Sequence, residues 1–281
     1  MLLLLSACAG APPIPPPLEP RVWPAAGEPR GVILALHSFG DHAAAFNLAA
    51  PALAEAGYSV YAFDQAGFGT RNLNDRWAGE ARLVDDAAGL ARQLAERYPD
   101  RPLYLLGESL GGAVAMLVAA RHPDLPVDGL ILAAPAVREG IRLRYGWNVL
   151  IAGAAAVAPG YRLTVSRPPD DPKLAPRAAR RLAEDPRVMR RVRLDAYWGL
   201  IRLADQASDV APALQPPTLV LYGGRDTSVP AVGIRRLNGH LGGHGDYRFF
   251  EDGPHLLLQG RHWSRVTDAI LDWLPPARLP E

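Results

Sequence analysis

Short, uninterrupted apolar runs alternate along this chain with longer segments of helical periodicity. Val32 to Leu36 is apolar throughout, the pattern of a strand covered on both faces. Ala43 to Ala56 is Ala-rich and predicts a helix, and Tyr58 to Phe63 predicts a strand. Glu80 to Tyr98 places Leu83, Val84, Ala87, Leu90 and Leu94 on one helical face, and Pro99-Asp100 ends it. Leu103 to Leu106 reads as a strand and Ala113 to Ala120 as a helix. Val127 to Ala134 contains a strand with Asp128 at its edge. Thr218 to Tyr222 and Tyr247 to Phe250 are further strands. Val229 to Leu241 and His262 to Leu274 are helices, the last closed by Pro275-Pro276. This alternation predicts an α/β fold with a mostly parallel, doubly wound sheet.

The alternation stops between Ala136 and about Ala213. We read 136–213 as a helical cap inserted into a core made of 30–135 and 214–281. It holds Tyr145, Trp147, Tyr161, Tyr197 and Trp198, and an apolar run from Val149 to Ala158. That run is shorter than the ~20 residues needed to cross a bilayer. It can wall an acyl-chain pocket, rest on a membrane surface, or pack the cap on the core. Seven arginines between Arg177 and Arg193 form a solvated helix face or, in the sharper reading, attract anionic headgroups.

The candidate chemistry lies at the strand ends. Gly107-Glu108-Ser109-Leu110-Gly111 reads G-x-S-x-G between a strand and a helix. In that context the motif is a sharp turn that presents a serine hydroxyl above the sheet. Serine needs a base within hydrogen-bonding reach. His255 follows the last predicted strand, and Asp226 follows the strand before it, in Gly223-Gly224-Arg225-Asp226. The chain order Ser109, Asp226, His255 gives a nucleophile, an orienting acid and a base. An oxyanion hole is expected from the backbone N–H groups of Leu110 and of Phe39, in the loop His37-Ser38-Phe39-Gly40. His37 and His42 are rival bases but lie in that loop, where positioning suits them better. His240, His244 and His262 read as surface residues. Asp252 is a rival acid, three residues before His255. Glu108 reads as packing or hydrogen-bonding locally, and nothing ties Asp205 or Asp209 to chemistry.

These motifs together resemble an α/β-hydrolase of the monoacylglycerol lipase and lysophospholipase type. His37 to His42 is similar to that family's H-G-x-x-x-H loop, with Ser38 in place of glycine. Phe63 to Gly69 resembles its D-x-R-G-x-G-x-S loop, with Ala66 where Arg is usual and Thr70 where Ser is usual. Ala183 to Pro186 resembles a D-P turn of its cap. The resemblance runs from about residue 30 to about residue 275. It implies a serine hydrolase that cleaves carboxylic esters of monoacylglycerols or lysophospholipids through an acyl-enzyme, without a cofactor. Three alternatives share the chain: a proline-releasing peptidase or amidase, an acyltransferase using the same triad, and a non-catalytic lipoprotein binding module.

Composition narrows the partners. The net charge is +1 over 281 residues, which argues against nucleic acid, since that needs a basic surface. No Cys/His cluster has metal-ligand spacing. Cys8 is the only cysteine. Leu2 to Ala9 resembles the end of a bacterial lipoprotein signal, with small residues before the cysteine to be lipidated. It lacks a basic n-region, as a start assigned too far downstream would explain. Seven prolines between Pro12 and Pro24 follow, a composition that favours an extended tether. We therefore expect a signal over 1–8 with lipidation at Cys8, a tether over 9–29, and an anchored enzyme in the bacterial cell envelope, the alternative being a cytoplasmic enzyme whose N-terminal segment is not a functional signal. The sequence sets no oligomeric state.

Overall fold

The computed structural model describes residues 14–139 and 147–275. The signal, Cys8 and Tyr145 lie outside the described residues. The elements in chain order are β1 (Arg21–Trp23), β2 (Gly31–Leu36), α1 (Ala49–Glu55), β3 (Tyr58–Ala62), α2 (Glu80–Arg97), β4 (Leu103–Glu108), α3 (Leu110–Arg121) and β5 (Val127–Ala133). There follow α4 (Trp147–Val157), β6 (Arg162–Thr164), α5 (Pro176–Glu184), β7 (Arg191–Arg193) and α6 (Leu194–Val210). The chain then runs through β8 (Thr218–Gly223), α7 (Ala231–Leu241), β9 (Gly245–Phe250) and α8 (Trp263–Trp273).

Seven strands form one sheet in the order β1-β3-β2-β4-β5-β8-β9. All neighbours are parallel except β1, which pairs antiparallel with β3. β2, β4 and β8 are buried along their whole length, which is why they read as unbroken apolar runs. Helix α3 packs against α2 and α6, and α1 packs against α8. This is the α/β-hydrolase fold, with the carboxyl ends of β2, β4, β8 and β9 brought to one edge.

Three expectations change. Arg21–Trp23, inside the expected tether, is an edge strand in register with Val60 to Ala62. The Pro16 carbonyl accepts from Arg71 Nε at 2.8 Å, so the described part of the tether lies on the core. Prolines flanking a three-residue strand are compatible with an edge, whose outer side needs no donors. The helix expected over Ala43–Ala56 divides at Leu48 into a 3-10 turn, Ala43–Asn47, and α1. Pro51 falls in the first turn of α1, where its missing N–H costs nothing.

The cap is not wholly helical. Within it, β6 and β7 pair antiparallel, Leu163 facing Val192. Helix α6, placed in the cap by sequence, sends Leu203, Ala204 and Ala207 into the main core. What remains of the cap has a small core of its own, Leu174, Ala179, Leu182 and Val188, packed against Leu256. That contact sets the cap on the loop that carries His255. Among the described residues no helix is long and apolar enough to cross a membrane.

Candidate active site

Ser109 sits between β4 and α3 with φ +55° and ψ −113°, a conformation that L-residues avoid. The surroundings enforce it. Ser109 N–H donates to the Ala133 carbonyl at 2.9 Å, and the Ser109 carbonyl accepts from Ala136 N–H at 2.9 Å. A Cβ at Gly111 would overlap the Leu36 carbonyl, so the turn closes only with glycine there. Leu110 is the first residue of α3, and its N–H has no carbonyl within the helix to bond.

The loops after β8 and β9 bring the other two groups to the serine. His255 Nε2 lies 2.9 Å from Ser109 Oγ, and His255 Nδ1 lies 2.8 Å from Asp226 Oδ2. Asp226 Oδ1 accepts from the N–H groups of Ser228 and Val229 at 2.7 and 3.0 Å. Three donors around a fully covered side chain suit a carboxylate. With Nδ1–H donating to Asp226, Nε2 is left to accept the Ser109 proton. Asp252, the rival acid, pairs instead with Arg225 at the surface.

His37 and His42 shape the neighbouring loop. His37 Nδ1–H donates to the Ser38 carbonyl at 2.9 Å, and its Nε2 accepts from Gln65 N–H at 2.9 Å. Gln65 Nε2 donates back to the His37 carbonyl at 2.8 Å. Burial lowers the pKa of His37, in keeping with a neutral ring that bonds on both sides. His42 meets Asp185 of the cap at 3.1 Å, and burial lowers its pKa too. Asp64 accepts from Ala43 N–H, Thr70 N–H and Thr70 Oγ1, all within 2.9 Å. Phe39 borders the same cleft as Ser109. Its ring meets Phe68 edge-on at 5.3 Å and stacks on Trp77 at 6.5 Å. His240 pairs with Glu139 at 2.7 Å, while His244 and His262 are exposed. Asp205 faces Arg138.

A buried polar strap was not foreseen. Arg181 of α5 forms a bidentate pair with Asp41 at 2.7 and 2.8 Å, and also donates to Gln259 Oε1 at 2.7 Å. Gln259 Nε2 donates to Asp41 and to Glu108, each at 3.1 Å. Glu108 accepts from Leu258 N–H at 2.9 Å. The strap ties the cap, the Phe39 loop, the nucleophile strand and the His255 loop together. The expected local role of Glu108 is thus replaced by contacts about 150 residues away. Burial pushes the Asp41 carboxyl up, but the Arg181 guanidinium, His37 and the His42 N–H together outweigh it and the net shift is downward.

Glu108 behaves oppositely. Burial pushes its pKa up from 4.5 to about 7, with Leu258 and Gln259 pulling it back only in part. The folded state therefore holds this proton in a pH window where the unfolded chain has lost it. Stability contributed in this way is present below about pH 4.5 and is lost as pH rises towards 7. We expect Glu108→Gln to remove that decline, changing the pH dependence of unfolding by a few kcal/mol across the window. Urea unfolding at pH 5, 6 and 7 checks this; parallel slopes for both proteins contradict it.

A cleft of about 1060 Å³ opens over Ser109 and His255. Its walls include Ile151 of α4, Leu163 of β6, Leu182 of α5 and Leu200 and Ile201 of α6. Val149, Leu150 and Val157 of α4 are exposed.

Known proteins resemble this chain to differing extents. A family model described as serine aminopeptidase, S33 (Hydrolase_4) matches residues 27–261. A monoacylglycerol lipase of Mycolicibacterium smegmatis is 29% identical over 269 residues, covering 90% of this chain and 91% of its own. A mouse monoglyceride lipase is 32% identical over 124 residues, covering 42% of this chain and 39% of its own. The structure of Paleococcus ferrophilus monoacylglycerol lipase superimposes with a TM-score of 0.77 at 24% identity, over 92% of this chain and 98% of that one. A soluble variant of the Saccharomyces cerevisiae monoglyceride lipase, in complex with a substrate analog, gives 0.78 at 16% identity, over 92% and 91%. At these identities the two structures speak to the fold.

Proposed function

The chain belongs to the Hydrolase_4 (serine aminopeptidase, S33) family, and on that premise we propose that it is a serine hydrolase of amphiphilic carboxylic esters, with monoacylglycerols as the substrate class. The observation that carries the reading is the unbroken relay Ser109–His255–Asp226 beneath an apolar, cap-walled cleft. His255 Nε2 takes the Ser109 proton as Oγ attacks the ester carbonyl. The N–H groups of Phe39 and Leu110 stabilise the oxyanion that develops, a contribution of about 10²–10³ in rate per donor in comparable sites. His255 then protonates the departing alcohol and leaves an acyl group on Ser109. A water deprotonated by His255 releases the fatty acid. Asp226 orients the imidazole and stabilises its cation.

The relatives' names support an ester of glycerol over an amide, while the family description leaves the peptidase reading open. A substrate panel separates them: p-nitrophenyl esters of two to sixteen carbons, a monoacylglycerol, a lysophospholipid and an aminoacyl arylamide. We expect the medium or long acyl esters, the monoacylglycerol and the lysophospholipid among them, to be turned over faster than the short esters and the arylamide. Activity confined to the arylamide or to short esters overturns the lipid reading. Lipidation at Cys8 and the exposed apolar residues of α4 suit work at a membrane surface. Presenting the panel's lipids on vesicles should raise their turnover; no change removes the membrane from the proposal.

A further inference from the structure

The cleft over Ser109 contains a cation that no step above uses. Arg167, in the connection between β6 and α5, borders the cleft together with Ser38, Phe39 and Ser109. Its Nη2 lies 3.4 Å from where a Cβ on Gly40 would sit, so the guanidinium rests against the oxyanion loop. Its Nε is buried without a hydrogen-bond partner. No carboxylate among the described residues pairs with it, and residues 140–146 contain no acid. Asp41 acts on it electrostatically, but both Asp41 oxygens are bonded to Arg181. Arg181 and Arg190 add like charge around it.

The two other arginines of the cleft wall differ. Arg138 faces Asp205 and Arg225 pairs with Asp252. Asp171 accepts from the backbone N–H of Lys173 at 2.9 Å, and the Lys173 side chain is exposed to solvent. A largely covered guanidinium with no paired carboxylate is unfavourable. A ligand oxyanion would relieve it, and the planar fork of arginine matches the paired oxygens of a phosphate or carboxylate.

We propose that Arg167 is an anion subsite of the active-site cleft, which selects esters carrying a phosphate or carboxylate in addition to their acyl chain. This rests on the reading that Ser109 cleaves esters in the same cleft. Two sources of the anion fit one chemistry. It can sit on the alcohol side, as in a 1-acylglycerol 3-phosphate, or at the far end of the acyl chain, as in a glycerol monoester of a dicarboxylic acid.

The test compares kcat/KM for 1-dodecanoylglycerol, its 3-phosphate, and the glycerol monoester of dodecanedioic acid, in wild type, Arg167→Met and Arg167→Lys. We expect the anionic-to-neutral ratio to fall at least tenfold in Arg167→Met, mainly through KM, and to recover in part in Arg167→Lys. A fall in the phosphate arm places the anion on the alcohol side; a fall in the dicarboxylate arm places it on the acyl side. Unchanged ratios in both arms, or an equal loss for neutral and anionic esters, overturn the proposal. A second readout does not need turnover: protection of Ser109 from phenylmethanesulfonyl fluoride by dodecyl phosphate against dodecanol. Arg167-dependent protection without ester hydrolysis would keep the subsite and defeat the ester reading. Equal protection by both compounds would defeat the subsite.

Discussion

Replacing Ser109 by Ala is expected to lower ester hydrolysis by about 10⁶-fold, the loss typical when the nucleophile of such a relay is removed. The same substitution should leave unfolding stability within about 0.5 kcal/mol of wild type. Both follow from the elbow. Among the described residues, the Ser109 hydroxyl is the side-chain group held 2.9 Å from His255 Nε2, so no other side chain stands in for it as the nucleophile. The Cβ, in contrast, is kept, and with it the strained φ of +55°. Ser109→Gly separates the two effects. It removes the hydroxyl and also relieves the strain, so it should be as inactive as the alanine variant yet more stable by roughly 1 kcal/mol. Ester turnover and chemical unfolding on the three proteins check this. Equal stabilities for Gly and Ala would mean that the turn carries no strain.

Arg181→Met should produce the largest loss of stability, about 3–5 kcal/mol. Asp41 is fully covered and Arg181 nearly so, with side-chain exposures of 0% and 14%. Removing the guanidinium leaves a buried carboxylate with only the His42 N–H and the Gln259 amide as donors. For a chain of this length the melting temperature should fall on the order of 10 °C. Because Asp41 lies two residues after Phe39, activity should fall as well. The double variant Asp41→Asn, Arg181→Met removes the stranded charge and should recover part of the loss. A single variant that melts like wild type would show that the strap contributes nothing. A double variant no better than the single would show that the loss comes from packing of the arginine stem.

The features legible in the sequence are those whose cause is local. The glycines of Gly107-Glu108-Ser109-Leu110-Gly111 announce a turn because the backbone there cannot close around a side chain. β2, β4 and β8 are legible because burial on both faces leaves only apolar residues to be read. Asp226 and His255 were reachable through their place after strands and through chain order. What escaped depends on partners far along the chain. Glu108 looks like any strand-end residue until Leu258 and Gln259 are placed beside it. Arg181 is indistinguishable from its six neighbouring arginines until Asp41 faces it. The three residues of β1 are too few for periodicity and are masked by prolines. The β6–β7 pair is hidden for the same reason, because each strand has only three residues.

The most direct measurement of the central claim is a titration of monoacylglycerol hydrolysis with a fluorophosphonate, the adduct being located by peptide mass. Hydrolysis should fall in proportion to labelling and reach zero at one adduct per chain, on the peptide that carries Ser109. Hydrolysis that persists after full labelling, an adduct on any other residue, or no monoacylglycerol hydrolysis by the unlabelled protein would contradict the account.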